Sequence, residues 1–444
     1  MTGPHPADRR SVGCLAEWGE PGLTRRRLAR GTAALAAGAL LWGVAAPGAS
    51  ADQIRDQQWA LKTFEAETKV WPVSQGEGVV VAVIDSGVSP DHQDLTGQVL
   101  PGADFSGAGT DGRVDKDGHG TAMASLIAGH GHGSQAGVMG LAPKAKILPV
   151  KVKGTGDNPD PLDSDIANAI RFAVDHGAKI INMSLGGPYR YNRELRKAIA
   201  YAVSKDAVMV ASSGNESASL VAYPAAFPGV VAVGAVDSTG KVWERSNSGP
   251  ETTLVAPGAE IYHATAKSPT SYGVADGTSD STAYVSATAA LIRSKFPDLS
   301  AGQVINRMIK SAARPADGSV TPNDHDGYGM LSPAKALEAD PAVDNGPREN
   351  PLVGRAESQG APEEYDTPTP MAPGEDESNG IAETAGQALG VTLLVAAVVA
   401  VIGGIVVTVV LVVRARRRRQ RRAAEGVPYP PHPPYGGPGP GPHQ

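Results

Sequence analysis

The sequence predicts an α/β fold with a doubly wound, mostly parallel sheet, followed by one C-terminal transmembrane helix. Two observations carry the first part. Between residues 52 and 339, short runs rich in valine, isoleucine and alanine alternate with stretches of helical periodicity, and the strand-like runs end in glycine-containing turns. The third observation is Leu389 to Val413, a run of 25 residues without a charge, long enough to cross a bilayer with some tilt.

Taken in order, VVVAVIDSG (79–87) reads as a buried strand ending in a turn, and a helix over Thr121 to Ala128 follows DGHG. KAKILPVKV (144–152) is strand-like. Ser164 to His176 has helical periodicity with Gly177 placed as its C-cap, and KIINMSLGG (179–187) is the next strand. Asn192 to Lys205 is an amphipathic helix, AVMVASSGN (207–215) a strand and turn, and VVAVGAVD (230–237) a short strand. Ser279 opens a helix running to about Lys295. Ser300 with Gln303 forms a capping-box pattern before a last helix through Ala312.

The ends differ from this middle. Arg25, Arg26, Arg27 and Arg30 precede an apolar run from Thr32 to Ala46, and Ala49, Ser50 and Ala51 supply a small-residue cleavage site. Residues 1–51 therefore read as a signal peptide; the alternative, a first membrane span, is disfavoured by the shortness of the run. The arginines loosely match a twin-arginine signal, so the export route stays open. Residues 52–75 form an extension too short to fold as a separate inhibitory domain, and one expected to wrap the peptidase domain at 76–339. Residues 340–384 are rich in Pro, Glu, Asp and Gly, an extended acidic linker. After the apolar run come Arg414, Arg416, Arg417, Arg418, Arg419, Arg421 and Arg422, which the positive-inside rule keeps in the cytoplasm. The expected location is thus the cell membrane, single-pass, with the acidic middle outside and the proline-rich tail of 414–444 inside.

The net charge of -6 divides unevenly: residues 1–51 carry six Arg against three acids and 414–444 carry seven Arg against one, leaving -15 between them. An acidic middle argues against a nucleic-acid partner. The one cysteine, Cys14, lies in the segment expected to be removed, so cysteine says nothing of the redox compartment.

Three polar residues stand where apolar strands or glycine-rich turns meet helices: Asp85 in VIDSG, His119 in DGHGTAMAS and Ser279 in DGTSDSTAYVSATAALI. Taken singly, the first is also a turn, the second a chance triplet and the third a helix cap. Their combined order Asp, His, Ser is that of one of the unrelated folds that carry a serine nucleophile with an imidazole base. An unassisted serine hydroxyl is almost wholly protonated at neutral pH, so a neutral imidazole must take its proton during attack. His92 in PDHQDL reads as a loop residue, and His130 with His132 lack further ligands at a telling spacing, so no metal is expected.

With SLGGP, ASSGNES, YPAAFPGVVAVGAVD, SNSGP and VAPGAEI, the middle of the chain resembles the subtilases over nearly its whole length. QQWAL, VWPVSQGEGVVVAVIDSGV, the acidic linker and the single C-terminal span are more narrowly similar to the mycosins, subtilases associated with type VII secretion in actinobacteria. The resemblance implies a serine endopeptidase with Asp85, His119 and Ser279 as triad, the Asn215 side chain and the Ser279 N–H as oxyanion donors, and Ser184, Leu185, Gly186 and Gly187 as the segment that pairs with a peptide substrate. Glu216 edges the specificity pocket by the same analogy. It implies protein or peptide substrates, type VII secretion subunits as partners, and no cofactor. Many subtilases hold structural calcium, but GHGHGSQAGVMG lacks the asparagine-bearing pattern of the family's strongest site.

After the nucleophile the family has an apolar residue, then Ala, a small residue and Pro, whereas this chain has Asp280, Ser281, Thr282 and Ala283. Ala is a good helix former, so loss of the proline is tolerable. A carboxylate about 6 Å from the developing oxyanion opposes it by roughly 3 kcal/mol at an effective dielectric of 20, up to about a hundredfold in rate. The same carboxylate favours protonated His119. The expectation is a slow protease with a raised pH optimum, the alternative a weakly active or inactive structural subunit of the secretion machinery.

Overall fold

A computed structural model of the chain describes residues 54–133, 135–152, 163–187 and 192–355. The expected signal peptide, most of the acidic linker, the span at 389–413 and the basic tail lie outside these residues. Among the described residues no helix is long and apolar enough to cross a membrane.

Seven parallel strands form the central sheet: β1 (Val80–Asp85), β2 (Ala103–Asp104), β5 (Lys146–Lys151), β6 (Ile180–Met183), β7 (Val208–Ser212), β8 (Val230–Val236) and β9 (Thr252–Pro257). Their order is β2-β5-β1-β6-β7-β8-β9. β1 is thus an interior strand, third of the seven, and the reversal of order beside it opens a crevice at the carboxyl ends of β1 and β6. Two antiparallel hairpins complete the strands: β3 (His130–His132) with β4 (Ala136–Met139), and β10 (Ile261–Ala264) with β11 (Tyr272–Ala275).

Alternation along β1 shows why both faces must be covered. Val81 and Val83 pack into one apolar cluster and Ala82 and Ile84 into another, all four without exposed surface. The first cluster takes α2 (His119–Ala128), α5 (Thr278–Lys295) and α6 (Ala301–Ser311); the second takes α3 (Asp163–Asp175) and α4 (Arg193–Ser204). The doubly wound arrangement read from the sequence is therefore the observed one. Asn192 caps α4, its side chain accepting from Glu194 N–H and Leu195 N–H, and the Ser300–Gln303 capping box is present.

One detail differs from the sequence reading and another goes beyond it. α2 starts at His119, two residues earlier than expected, because Gly118 adopts φ 103° and serves as the N-cap. His92 lies in a loop as expected but is fully buried there, with its Nε2 3.0 Å from the Ser271 carbonyl and its Nδ1 accepting from Asp94 N–H.

α5 is the most enclosed element: every residue from Asp280 to Arg293 is buried. Small side chains let it sit against β6, β7, β8 and β9, and its hydroxyls find internal acceptors, Ser281 on the Ala256 carbonyl, Thr282 on Thr278 and Thr288 on Tyr284.

Residues 54–75 lie along the domain as a strap that includes α1 (Trp59–Thr63). Phe64 meets Tyr284 of α5 edge-on at 5.5 Å, Trp59 Nε1 donates to the Ala259 carbonyl, and Ser74 Oγ donates to the Leu291 carbonyl. The Gln58 side-chain amide brackets Met139, donating to its carbonyl and accepting its N–H, both at 2.9 Å. Arg55 donates through Nε to the Gly137 carbonyl at 3.0 Å and through Nη2 to the Ala136 carbonyl at 3.1 Å. Gly131, at φ 65°, leaves the room: a Cβ there would sit 2.3 Å from Arg55 Nη2.

Arg55→Ala strips both carbonyls of their charged donor, and a loss of about 2 kcal/mol in unfolding free energy is expected by chemical denaturation. Arg55→Lys restores less than half of it, because a single ammonium does not reproduce the two-pronged donor.

Candidate active site

β1 carries Asp85 as its last residue, fully buried at the carboxyl end of the sheet. α2 brings His119 as its first residue, and its Nδ1 lies 2.9 Å from Asp85 Oδ1 and 3.0 Å from Oδ2. This approach depends on Gly120, where a Cβ would stand 2.1 Å from the Gly87 carbonyl oxygen and 3.1 Å from Asp85 Cβ. Asp85 also accepts Ser86 N–H at 2.7 Å, so its carboxylate is fixed from two sides.

A residue not singled out in the sequence, Asp115, organises the loop before α2. Its carboxylate accepts from the N–H groups of Asp117, Gly118 and Thr121 and from the hydroxyls of Ser86 and Thr121. Ser86 Oγ in turn accepts Gly120 N–H at 2.9 Å, tying the end of β1 to the first turn of α2. An acid two residues before DGHG was the available signal, a side chain placed to collect the free N–H groups of a helix start.

Ser279 is the second residue of α5, and its N–H is among the donors that a helix N-terminus leaves without a backbone partner. Its hydroxyl donates to the Ser184 carbonyl at 3.2 Å, and Ser184 Oγ donates back to the Ser279 carbonyl at 2.9 Å. Bringing Oγ to His119 therefore takes a rotation about the Cα–Cβ bond. Asn182 supports this pair from beneath: its Nδ2 donates to Ser184 Oγ and its Oδ1 accepts Ser286 Oγ, all three residues being buried.

Asn215 follows β7. Its Oδ1 accepts both the N–H and the hydroxyl of Thr278 at 2.9 Å, which fixes the amide orientation and leaves Nδ2 as the end that borders the cleft holding Ser279 and His119. Gly214, at φ 109°, admits no side chain, since a Cβ would stand 2.2 Å from Asn247 Nδ2. Glu216 is turned to the loop itself, accepting Asn215 N–H and Asn247 Nδ2 at 2.8 Å.

Ser184, Leu185, Gly186 and Gly187 leave β6 toward the same end. Gly187 bridges Tyr223 in antiparallel sense with its N–H on the Tyr223 carbonyl, and Ser212 Oγ occupies the Leu185 carbonyl. Asp85, His119, Asn215, Ser279 and the 184–187 segment thus converge at the carboxyl ends of β1, β6 and β7 and the start of α5, where an open parallel sheet places its ligands.

The charges here are coupled. Burial opposes protonation of His119, but the adjoining Asp85 carboxylate, with the fields of Asp280 and Asp117, outweighs it and raises the pKa to about 9. Asp280 is 2% exposed, and burial pushes its pKa up to about 7 against the pull of His119. Its Oδ1 has no hydrogen-bond partner among the described residues.

The described residues of the 129–140 loop do not fit a calcium ion. Asp94 is already engaged by His132 Nδ1 at 2.6 Å, Val138 N–H at 2.8 Å and Tyr272 Oη at 2.9 Å, while Arg55 takes the carbonyls of Ala136 and Gly137. His130 lies with Nδ1 2.6 Å from the Gly131 carbonyl and Nε2 3.0 Å from the Thr96 carbonyl. Among the described residues no group of three or more His, Cys, Asp or Glu is arranged to hold a metal.

Comparison with known proteins places this arrangement. Residues 76–329 match the subtilase family, peptidase S8. Subtilisin DY of Bacillus licheniformis is 37% identical over 247 residues, 55% of this chain and 86% of that protein. The crystal structure of MycP1 from Mycobacterium smegmatis superposes with a TM-score of 0.56 at 29% identity, covering 67% of this chain and 88% of that one. The structure of the MycP3 protease from the type VII (ESX-3) secretion system gives 0.54 at 32% identity, covering 64% and 88%.

Replacing Asp280 by Asn removes a negative field from His119 without changing shape. The midpoint of His119 titration, followed by NMR of its ring protons, is expected to fall by about one pH unit. An unmoved midpoint contradicts the coupling.

Proposed function

The chain belongs to the subtilase family of serine peptidases, and from that premise we propose that it is a membrane-anchored serine endopeptidase linked to type VII secretion. The observation that carries the reading is the Asp85–His119 pair, joined at 2.9 Å at the end of β1, with Ser279 on the start of a buried helix beside it.

The geometry supports the following chemistry. Asp85 holds Nδ1 of His119, so the proton sits there and Nε2 is left as the base. Ser279 Oγ rotates from the Ser184 carbonyl, gives its proton to Nε2 and attacks the substrate carbonyl carbon, forming a tetrahedral oxyanion. Asn215 Nδ2 and the Ser279 N–H donate to that oxyanion. His119 then hands the proton to the leaving amine, the C–N bond breaks, and an acyl-enzyme ester on Ser279 remains. Water, deprotonated by His119, hydrolyses the ester and regenerates Ser279. Neutral His119 is required, so with its pKa near 9 the rate rises through the alkaline range, consistent with a slow enzyme at neutral pH.

Anchoring rests on the uncharged run 389–413 and the seven arginines after it, which favour an outer catalytic domain and a cytoplasmic C-terminus. The link to secretion rests on the likeness to MycP1 and MycP3, the latter described as a protease from the type VII (ESX-3) secretion system. A second reading, a structural subunit whose proteolysis is secondary, draws on Asp280 and on the Ser279 hydroxyl resting on Ser184 instead of His119.

A fluorophosphonate probe is expected to label the wild type and not Ser279→Ala, and Asn215→Ala should lower kcat about 100- to 1000-fold while leaving KM nearly unchanged. Secretion that survives Ser279→Ala but not deletion of the protein favours the structural reading. Equal labelling of wild type and Ser279→Ala removes the enzymatic one.

A further inference from the structure

A cleft of about 340 Å³ opens beside Ser279. None of Ser184, Leu185, Gly186 or Gly187 borders it; its walls are the first turns of α2, the β10–β11 hairpin and the start of α5. The protease reading above supplies the frame: with a peptide's acyl side paired to 184–187, this cleft receives residues on the leaving-group side.

Its charge is one-sided. Three carboxylates border it, Asp117, Asp276 and Asp280, against one ammonium, Lys267. Asp117 and Asp276 are exposed and have local partners: Asp117 accepts His119 N–H and Asp276 accepts Glu260 N–H. Asp280 differs, being 98% covered with one oxygen unpaired. Burial lowers the His263 pKa against the Ala264 carbonyl, 2.9 Å from its Nδ1, so His263 is a poor source of positive charge.

A buried carboxylate without a counterion is costly. While His119 is protonated it supplies the counterion, but the catalytically competent form has His119 neutral. In that form Asp280 faces His119 on α2, Asp117 before it, His263 and Lys267 on the hairpin, Asp276 ahead of α5 and Tyr284 one turn further along α5, with Asp85 behind the imidazole. Of these only the exposed Lys267 is a cation.

We infer that the cleft is a subsite for a lysine or arginine side chain on the leaving-group side of the scissile bond, and that Asp280 is the residue that selects it. A substrate ammonium or guanidinium in the cleft supplies the missing charge. It also offsets the field that holds the proton on His119, so the carboxyl that slows neutral leaving groups assists basic ones.

The experiment uses the full-length protein in detergent and quenched fluorescent peptides differing only in the residue after the scissile bond: Lys, Arg, Leu or Glu. At pH 8.5 the expected kcat/KM for Lys and Arg exceeds that for Leu about tenfold, with Glu below Leu. The preference fades toward pH 6 as Asp280 takes up a proton. Asp280→Asn equalises the peptides and superposes the profiles. Equal kcat/KM for Lys and Leu in the wild type overturns the inference even if the variant fails to fold, as does a preference that persists in Asp280→Asn. Cleavage of all peptides at one rate leaves the peptidase reading standing, whereas no turnover and no fluorophosphonate labelling overturn both. Labelling without turnover of any peptide overturns the subsite alone.

Discussion

A helix with no face toward water is the constraint on which the rest of this molecule depends. From Ser281 to Arg293, α5 is surrounded by protein, so each side chain must be small, apolar or internally hydrogen-bonded. Alanine, serine and threonine meet that demand. Their size lets four strands approach the helix, and their hydroxyls return to carbonyls of α5, β9 and, through Asn182, β6. The nucleophile stands at the N-terminal end of this helix, where it borders the cleft, so the position of Ser279 is fixed by the packing of the whole core and not by its own loop.

Much of this was legible because it is local. β-branched runs marked the strands, Asn192 and the Ser300–Gln303 pair marked helix starts, and the order of Asp85, His119 and Ser279 with their glycine-rich neighbours pointed to one chemistry. What escaped the sequence is what distant residues do to one another. Asp115 looks like a loop acid until the free N–H groups of α2 are seen around it, and Asn182 looks like a polar interruption of a strand until Ser184 and Ser286 are placed on either side. His92 reads as a loop residue, but its burial is created by the β10–β11 hairpin, about 180 residues away in the chain. The early start of α2 needed the positive φ of Gly118, which a sequence leaves unspecified.

Asp280 combines the two kinds of information. Its departure from the family pattern was visible at once, but its consequence depends on burial and on the imidazole it faces. At a solvated helix start a carboxylate is a mild stabiliser; enclosed beside His119, it becomes a group whose charge state is shared with the base. The pair is best regarded as one titrating unit, since each ionises according to the state of the other.

The strap at 54–75 has a consequence for how the domain is made. Its partners lie far along the chain: Arg55 and Gln58 bond to residues 136–139, Trp59 to Ala259 and Ser74 to Leu291, separations of 81 to 217 residues. The strap therefore docks completely only after Leu291 has followed it. Closing so long a loop carries an entropic cost, which makes for late locking of the strap. Once docked, the same long closure ties the beginning of the chain to its central helix, so loosening either end means opening the fold as a whole.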